Sequence, residues 1–142
     1  MRFLIITCAF LSCSSKKIFD FNYNKDKTSY INNVNCLRTN YSVIWRYLNS
    51  TEPIYYSPSG VTEHAVCGYM YNIIKNNSID MISFERDSTV SFYSPTGHSS
   101  NDKQLILMFI TRNIKIQDKI TPNLKLLQRI DSNCYELEIN NP

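Results

Sequence analysis

At 142 residues, 43% apolar and 19% charged, the chain has the length and make-up of one globular domain. Its net charge of +3 is too small to imply nucleic acid or an anionic membrane as a partner. Ten Tyr and seven Phe against three Gly favour strands with well-filled faces.

The N-terminus carries the most specific signal. Met1-Arg2 gives a positive start, Phe3 to Leu11 an apolar core, and Ser12-x-Ser14 or Cys13-x-Ser15 a small-residue cleavage site before Lys16-Lys17. This is the pattern of a secretory signal peptide over residues 1–15, and its apolar stretch is too short to anchor a chain across a bilayer. No second stretch of spanning length follows, so a soluble, extracellular mature domain is expected over residues 16–142.

Residues 16–35, rich in Asn and Lys and without a sustained period, are predicted to be an irregular leader. A short helix is predicted over 41–48, because Tyr41, Ile44, Trp45 and Leu48 recur at i, i+3, i+4 and i+7. Thr39 or Asn40 is placed to cap it. So short a helix cannot stand alone, so its aromatic face must plug the strands that follow. These are predicted at 52–57, 64–74, 79–86, 89–94, 103–112, 124–130 and 134–139, with turns at Pro58-Ser59-Gly60, Lys75-Asn76-Asn77 and Asp131-Ser132-Asn133. The stretch from Ile114 to Ile120 has no assignment.

A short helix followed by about seven strands on short connections predicts an all-β, up-and-down antiparallel barrel, large enough to enclose one small ligand. The same spacing also fits a sandwich. If Cys67 faces outward, then Val66, Gly68 and Met70 face in, and Tyr56, Phe84, Phe92 and Phe109 are candidate lining residues on neighbouring strands. Plain core packing is the favoured alternative for each of these, and Trp45, also a candidate contact, would more naturally close the barrel end.

Export gives meaning to the cysteines and sequons. Cleavage leaves Cys36, Cys67 and Cys134, an odd number. One thiol is then free, or pairs with another chain, or belongs to a domain longer than this sequence. Asn40-Tyr41-Ser42, Asn49-Ser50-Thr51 and Asn76-Asn77-Ser78 are candidate glycosylation sites at Asn40, Asn49 and Asn76.

Catalysis has little support. His64 and His98 stand far apart, and His98 lies in a Ser-rich loop without a Gly-x-Ser-x-Gly elbow. Zinc-ligand spacing, a phosphate-cradling Gly-rich loop and an RNA-binding aromatic signature are all missing, so no enzyme activity, metal or cofactor is expected.

An early cysteine (Cys36), the Trp helix with its follow-up IWRYLNSTEPIYY at 44–56, Cys67 in an early strand and Asn133-Cys134 heading a late one together resemble the tick salivary lipocalins. This family includes histamine-binding proteins and leukotriene-binding complement inhibitors. The resemblance implies a lipocalin-like barrel that sequesters a small host mediator, a biogenic amine or a lipid, in host-defence evasion. It also implies that Cys36, Cys67 and Cys134 bond to partners in a C-terminal segment beyond Pro142, so the last strand and a C-terminal helix would be missing. The amine-binding members carry Cys-Asp-aliphatic where this chain has Cys134-Tyr135-Glu136, a departure that weakens the amine assignment. The competing expectation is a secreted inhibitor that engages a host protein through its outer surface, without a small ligand.

Overall fold

A computed structural model of the chain describes residues 20–46, 51–57, 67–95 and 103–140. The signal peptide, Asn49, Val66, His64 and His98 lie outside the described residues. Helices α1 (Tyr23–Thr39) and α2 (Tyr41–Trp45) come first, then strand β1 (Ile54–Tyr56) and helix α3 (Gly68–Asn77). Strands β2 (Met81–Phe84), β3 (Val90–Tyr93) and β4 (Gln104–Phe109), a 3-10 turn at Ile116–Asp118, and strands β5 (Leu124–Asp131) and β6 (Cys134–Ile139) complete the chain.

Residues 23–35, expected to be irregular, are helical. Tyr30, Asn33, Val34 and Leu37 are buried at i, i+3, i+4 and i+7, and Tyr23 is buried one heptad before Tyr30. The stripe is hard to see in the sequence because one of its members is an asparagine and its end lies beyond Asn35. The helix bends at Asp26, whose backbone leaves the helical region. Asn40 then ends α1 and starts α2, but not by the expected side-chain cap. Its carbonyl accepts from the amides of Val43 and Ile44, while its Nδ2 turns back to donate to the Cys36 carbonyl (2.9 Å) and to Cys36 Sγ (3.6 Å).

The strand expected over 64–74 is corrected to α3 in its described part. Met70, Ile73, Ile74 and Asn77 are buried at helical spacing, and this stripe outweighs the alternation of Cys67, Tyr69, Tyr71 and Ile73. Cys67, in extended conformation, is the N-cap residue, and Ser78, left-handed at φ 53°, ends the helix.

The strands form one open antiparallel sheet in the order β1-β2-β3-β4-β6-β5. The expected antiparallel sheet is there. The closed barrel is not shown: β1 and β5 are the edges, and no pairing joins them among the described residues.

Pleating sorts the side chains. Ile82 opposite Phe92, Phe84 opposite Val90, and Phe109 opposite both Val90 and Cys134 form the face under the helices. There Tyr30 meets Phe92 edge-on at 4.9 Å, and Phe92 meets Phe109 at 5.7 Å. Tyr30 is fully buried but satisfied: its hydroxyl donates to the Phe21 carbonyl (2.8 Å) and accepts from Asn77 Nδ2 (3.2 Å). The other face carries Ile106, Met108 and Leu137, with Ile110 and Ile116 in the same cluster. The unassigned stretch from Ile114 to Ile120 is thus a connection that tucks Ile116 against this face.

The disulfide expectation also changes. Cys36 bonds Cys67, joining α1 to the start of α3, whereas the resemblance put the partners of both beyond Pro142. Cys134 is free and buried.

Candidate functional site

The six expected lining residues are brought together, but largely as packing partners. Phe84, Phe92, Phe109, Met70 and Trp45 belong to the one core cluster between helices and sheet, with Tyr56 half-buried against it. Trp45 packs on Phe84 at 6.1 Å and on Tyr41 at 6.2 Å, and the Arg86 guanidinium lies over its indole at 4.4 Å. Of the six, Phe109 borders a described cavity. Gly68, expected to face inward beside Met70, opens α3.

The open space lies elsewhere, between the N-terminal half of α1 and the β5–β6 hairpin. A cavity of about 300 Å³ is walled by Asp20, Phe21, Tyr23 and Asn24 on one side and by Gln128, Arg129, Ile130 and Glu136 on the other. A second, of about 150 Å³, adjoins it at Tyr23 and runs past Val34, Asn35 and Arg38 to Asp131 and Cys134.

Two irregularities in β5 build the hairpin wall. Its register against β6 shifts between Leu126 and Gln128, and again between Arg129 and Asp131, so Leu127 and Ile130 are the extra residues. The shifts put Gln128 opposite Glu136 and Asp131 opposite Cys134, on the pleat face under α1. Ile130 packs against the core beneath α1.

The electrostatics follow from burial and from one lysine. Asp131 is held below the usual carboxylate range by the Lys27 ammonium at 2.6 Å and by the Ser132 amide at 2.7 Å, so it stays ionised. Burial, reinforced by Cys134 and Asp131, raises the Tyr23 phenol well above its ordinary value. Its hydroxyl therefore stays protonated and donates to Asp131 Oδ2 at 3.5 Å. Burial, with the charge of Asp131, pushes the Cys134 thiol up to about 12, against a smaller opposing effect of the Tyr23 hydroxyl. A thiol so held is neutral and a poor nucleophile. Arg38, lowered by burial against the pull of Asp87, gives its Nε to the Ser88 carbonyl and its Nη2 to the Phe109 carbonyl. It fastens α1 to the sheet.

In the larger cavity, Glu136 Oε2 accepts from Gln128 Nε2 at 2.5 Å, and Asp20 Oδ1 accepts from the Asn22 amide at 2.9 Å. Arg129, opposite Tyr135 in the register, turns to the other pleat face: its guanidinium lies over the Tyr135 ring at 6.0 Å and donates to the Asp131 and Ser132 carbonyls. Asp20 and Glu136 give this lining a negative charge. It suits a small polar ligand with a cationic group.

Sequence reasoning missed Asp20, Tyr23, Arg129 and Glu136. The heptad spacing of Tyr23, Tyr30 and Leu37 could have revealed α1, but no pattern in the chain announces the two register shifts. Among the expected modification sites, Asn76 is exposed on α3, whereas Asn40 Nδ2 donates to the Cys36 carbonyl and sulfur. Among the described residues no cluster of His, Cys, Asp and Glu could hold a metal, and no helix is long and apolar enough to cross a membrane. Compared with family models, with curated proteins and with solved structures, the chain has no significant match.

Proposed function

We propose that the protein is a secreted, non-catalytic binding protein that holds a small, cation-bearing mediator in the cavity between α1 and the β5–β6 hairpin. The observation that carries this reading is that two carboxylate residues, Asp20 and Glu136, line the same cavity of about 300 Å³. A cation leaving water needs a carboxylate partner, and the sequence alone gave no confident one. The charged lining favours an amine-type mediator over an apolar lipid such as a leukotriene. This reading places the ligand at the side of the sheet, so it does not depend on the lipocalin-like barrel that the sequence resemblance suggests.

The test is native mass spectrometry of the secreted protein together with titration of histamine and serotonin. A retained small-molecule adduct, or amine binding weakened about tenfold or more by Glu136→Gln, is the expected result. No adduct and no amine binding would end the carrier reading.

A second reading has its own observation. Ile120 (37% exposed), Leu126 (36%) and Leu127 (40%) lie bare on or near the β5 edge. An outer-surface contact with a host protein would use this patch. Substituting Leu126 and Leu127 by Ser would then abolish complex formation and leave amine titrations unchanged.

A further inference from the structure

We infer that Tyr23 is a gate: the single helical turn that carries it swings on two hinges, opening a passage between the two cavities and onto Cys134. Tyr23 is the one residue that lines both cavities. It shares the wall of the larger one with Gln128 and Glu136, and that of the smaller one with Val34 and Cys134. The turn is bracketed by two breaks in the backbone. Before it, Asn22 stands in the left-handed region at φ 50°, a conformation that asparagine tolerates better than most residues. After it, Asp26 leaves the helical region at φ −109° and ψ 15°, so α1 is two helical pieces joined at a bend. The piece from Tyr23 to Lys25 can therefore rotate without dragging its neighbours along.

Those neighbours are fixed. Upstream, Phe21 is buried and its carbonyl accepts from the Tyr30 hydroxyl at 2.8 Å. Downstream, Tyr30, Val34 and Leu37 are buried, the Cys36–Cys67 bond ties α1 to α3, and Arg38 donates to the Ser88 and Phe109 carbonyls. Less holds the gate shut. The Tyr23 ring, buried under α1, meets Tyr30 at 5.9 Å and Phe109 at 6.1 Å, and its hydroxyl reaches Asp131 at a long 3.5 Å. Lys27, just past the second hinge, holds Asp131 in place at 2.6 Å, but both side chains of that pair are more than a third exposed. Such a pair is a weak latch. The turn thus has fewer ties than either flank, and opens before the rest of α1 leaves the sheet. Shut, it confines a ligand to about 300 Å³; open, it extends that space to Cys134. The gate stands whether or not the larger cavity holds an amine.

Native-state alkylation of Cys134 in the full chain, with hydrogen exchange beside it, tests the gate. Cys134 should react with iodoacetamide far more slowly than a free thiol, at a rate that stays flat in low urea, because opening one turn exposes little surface. Tyr23→Phe keeps the ring and removes the latch, and should speed the reaction about threefold or more. The Tyr23 hydroxyl lowers the Cys134 thiol slightly, so its loss acts against a faster reaction and cannot imitate opening. Tyr23→Ala should speed the reaction further. Asp131→Asn should quicken amide exchange at Lys25 and Asp26 and leave Val34 to Leu37 unchanged. Urea unfolding of each variant separates local opening from lost stability. Labelling that rises with urea from the outset, at the slope of global unfolding, would overturn the gate. So would a Tyr23→Phe effect no larger than its loss of global stability accounts for.

Discussion

Cys134 shows how far environment governs a single side chain. In sequence it is the odd cysteine of the three beyond the expected signal peptide, and nothing in its neighbours Asn133 and Tyr135 says whether it is bonded, free or reactive. In the fold it sits opposite Phe109 under α1, 2% exposed, with its thiol pushed up to about 12 by burial and by the Asp131 charge. It should therefore resist alkylation by iodoacetamide at pH 8 in the native protein and react on adding denaturant. Peptide mapping before and after unfolding checks this; native labelling at a free-thiol rate would show that the burial is wrong. Tyr23 and Tyr30 teach the same lesson. Each buries an aromatic ring and donates its hydroxyl hydrogen to a protein acceptor, Asp131 and the Phe21 carbonyl respectively.

At the scale of elements, α1 and α3 are the pieces the sequence hid and the disulfide joins. Residues 23–39 contain six Asn and Lys residues, yet the buried stripe of Tyr30, Val34 and Leu37 is enough to hold them helical on the sheet. The Cys36–Cys67 bond closes a loop with a sequence separation of 31 residues. The chain-entropy relation then gives about 3–4 kcal/mol of stabilisation through the unfolded state. Replacing both cysteines by Ala should lower the unfolding free energy in urea by about that amount; a loss under about 1 kcal/mol would mean the bond is incidental to stability. The strands β2 to β6 were legible because each is a short run of apolar and β-branched residues between turn residues. The two extra residues in β5, Leu127 and Ile130, were not, because a register shift is set by what each side chain meets across the sheet.

At the scale of the whole molecule, the connection from β4 to β5 is tied to the β2–β3 turn by one lysine. Lys119 Nζ donates to Glu85 Oε2 at 2.7 Å and pairs with Asp87, on the β2–β3 turn. Burial alone would raise the Asp87 carboxyl, but Lys119 and the Thr89 amide outweigh it and hold the carboxyl below its usual value. For Lys119 burial acts downward and the two carboxylates outweigh it, so its ammonium titrates higher than usual. A depressed carboxyl contributes its stability in full above the unfolded value near pH ~4 and loses it as pH falls through the folded value. The raised lysine contributes in full below about pH 10 and loses it above its folded value. The clamp is thus complete between these limits. Lys119→Met should cost about 1 kcal/mol at pH 7, the upper end for a part-exposed pair, and less at pH 3. Urea titrations at the two pH values check it; an equal cost at both would mean that packing of the lysine stem, not its charge, is what holds.

The sequence by itself determined an antiparallel sheet of short strands and a short Trp-bearing helix beginning at Tyr41. These depend on local period, turn chemistry and composition, which neighbouring residues carry. Only the tertiary structure decided that the predicted lining aromatics would be spent on core packing, that Cys36 would find Cys67, and that Asp20 and Glu136, 116 positions apart, would face one cavity. Those outcomes depend on which helix the sheet buries and in what register its last two strands pair. Both are settled by contacts between distant segments, where no local pattern reaches.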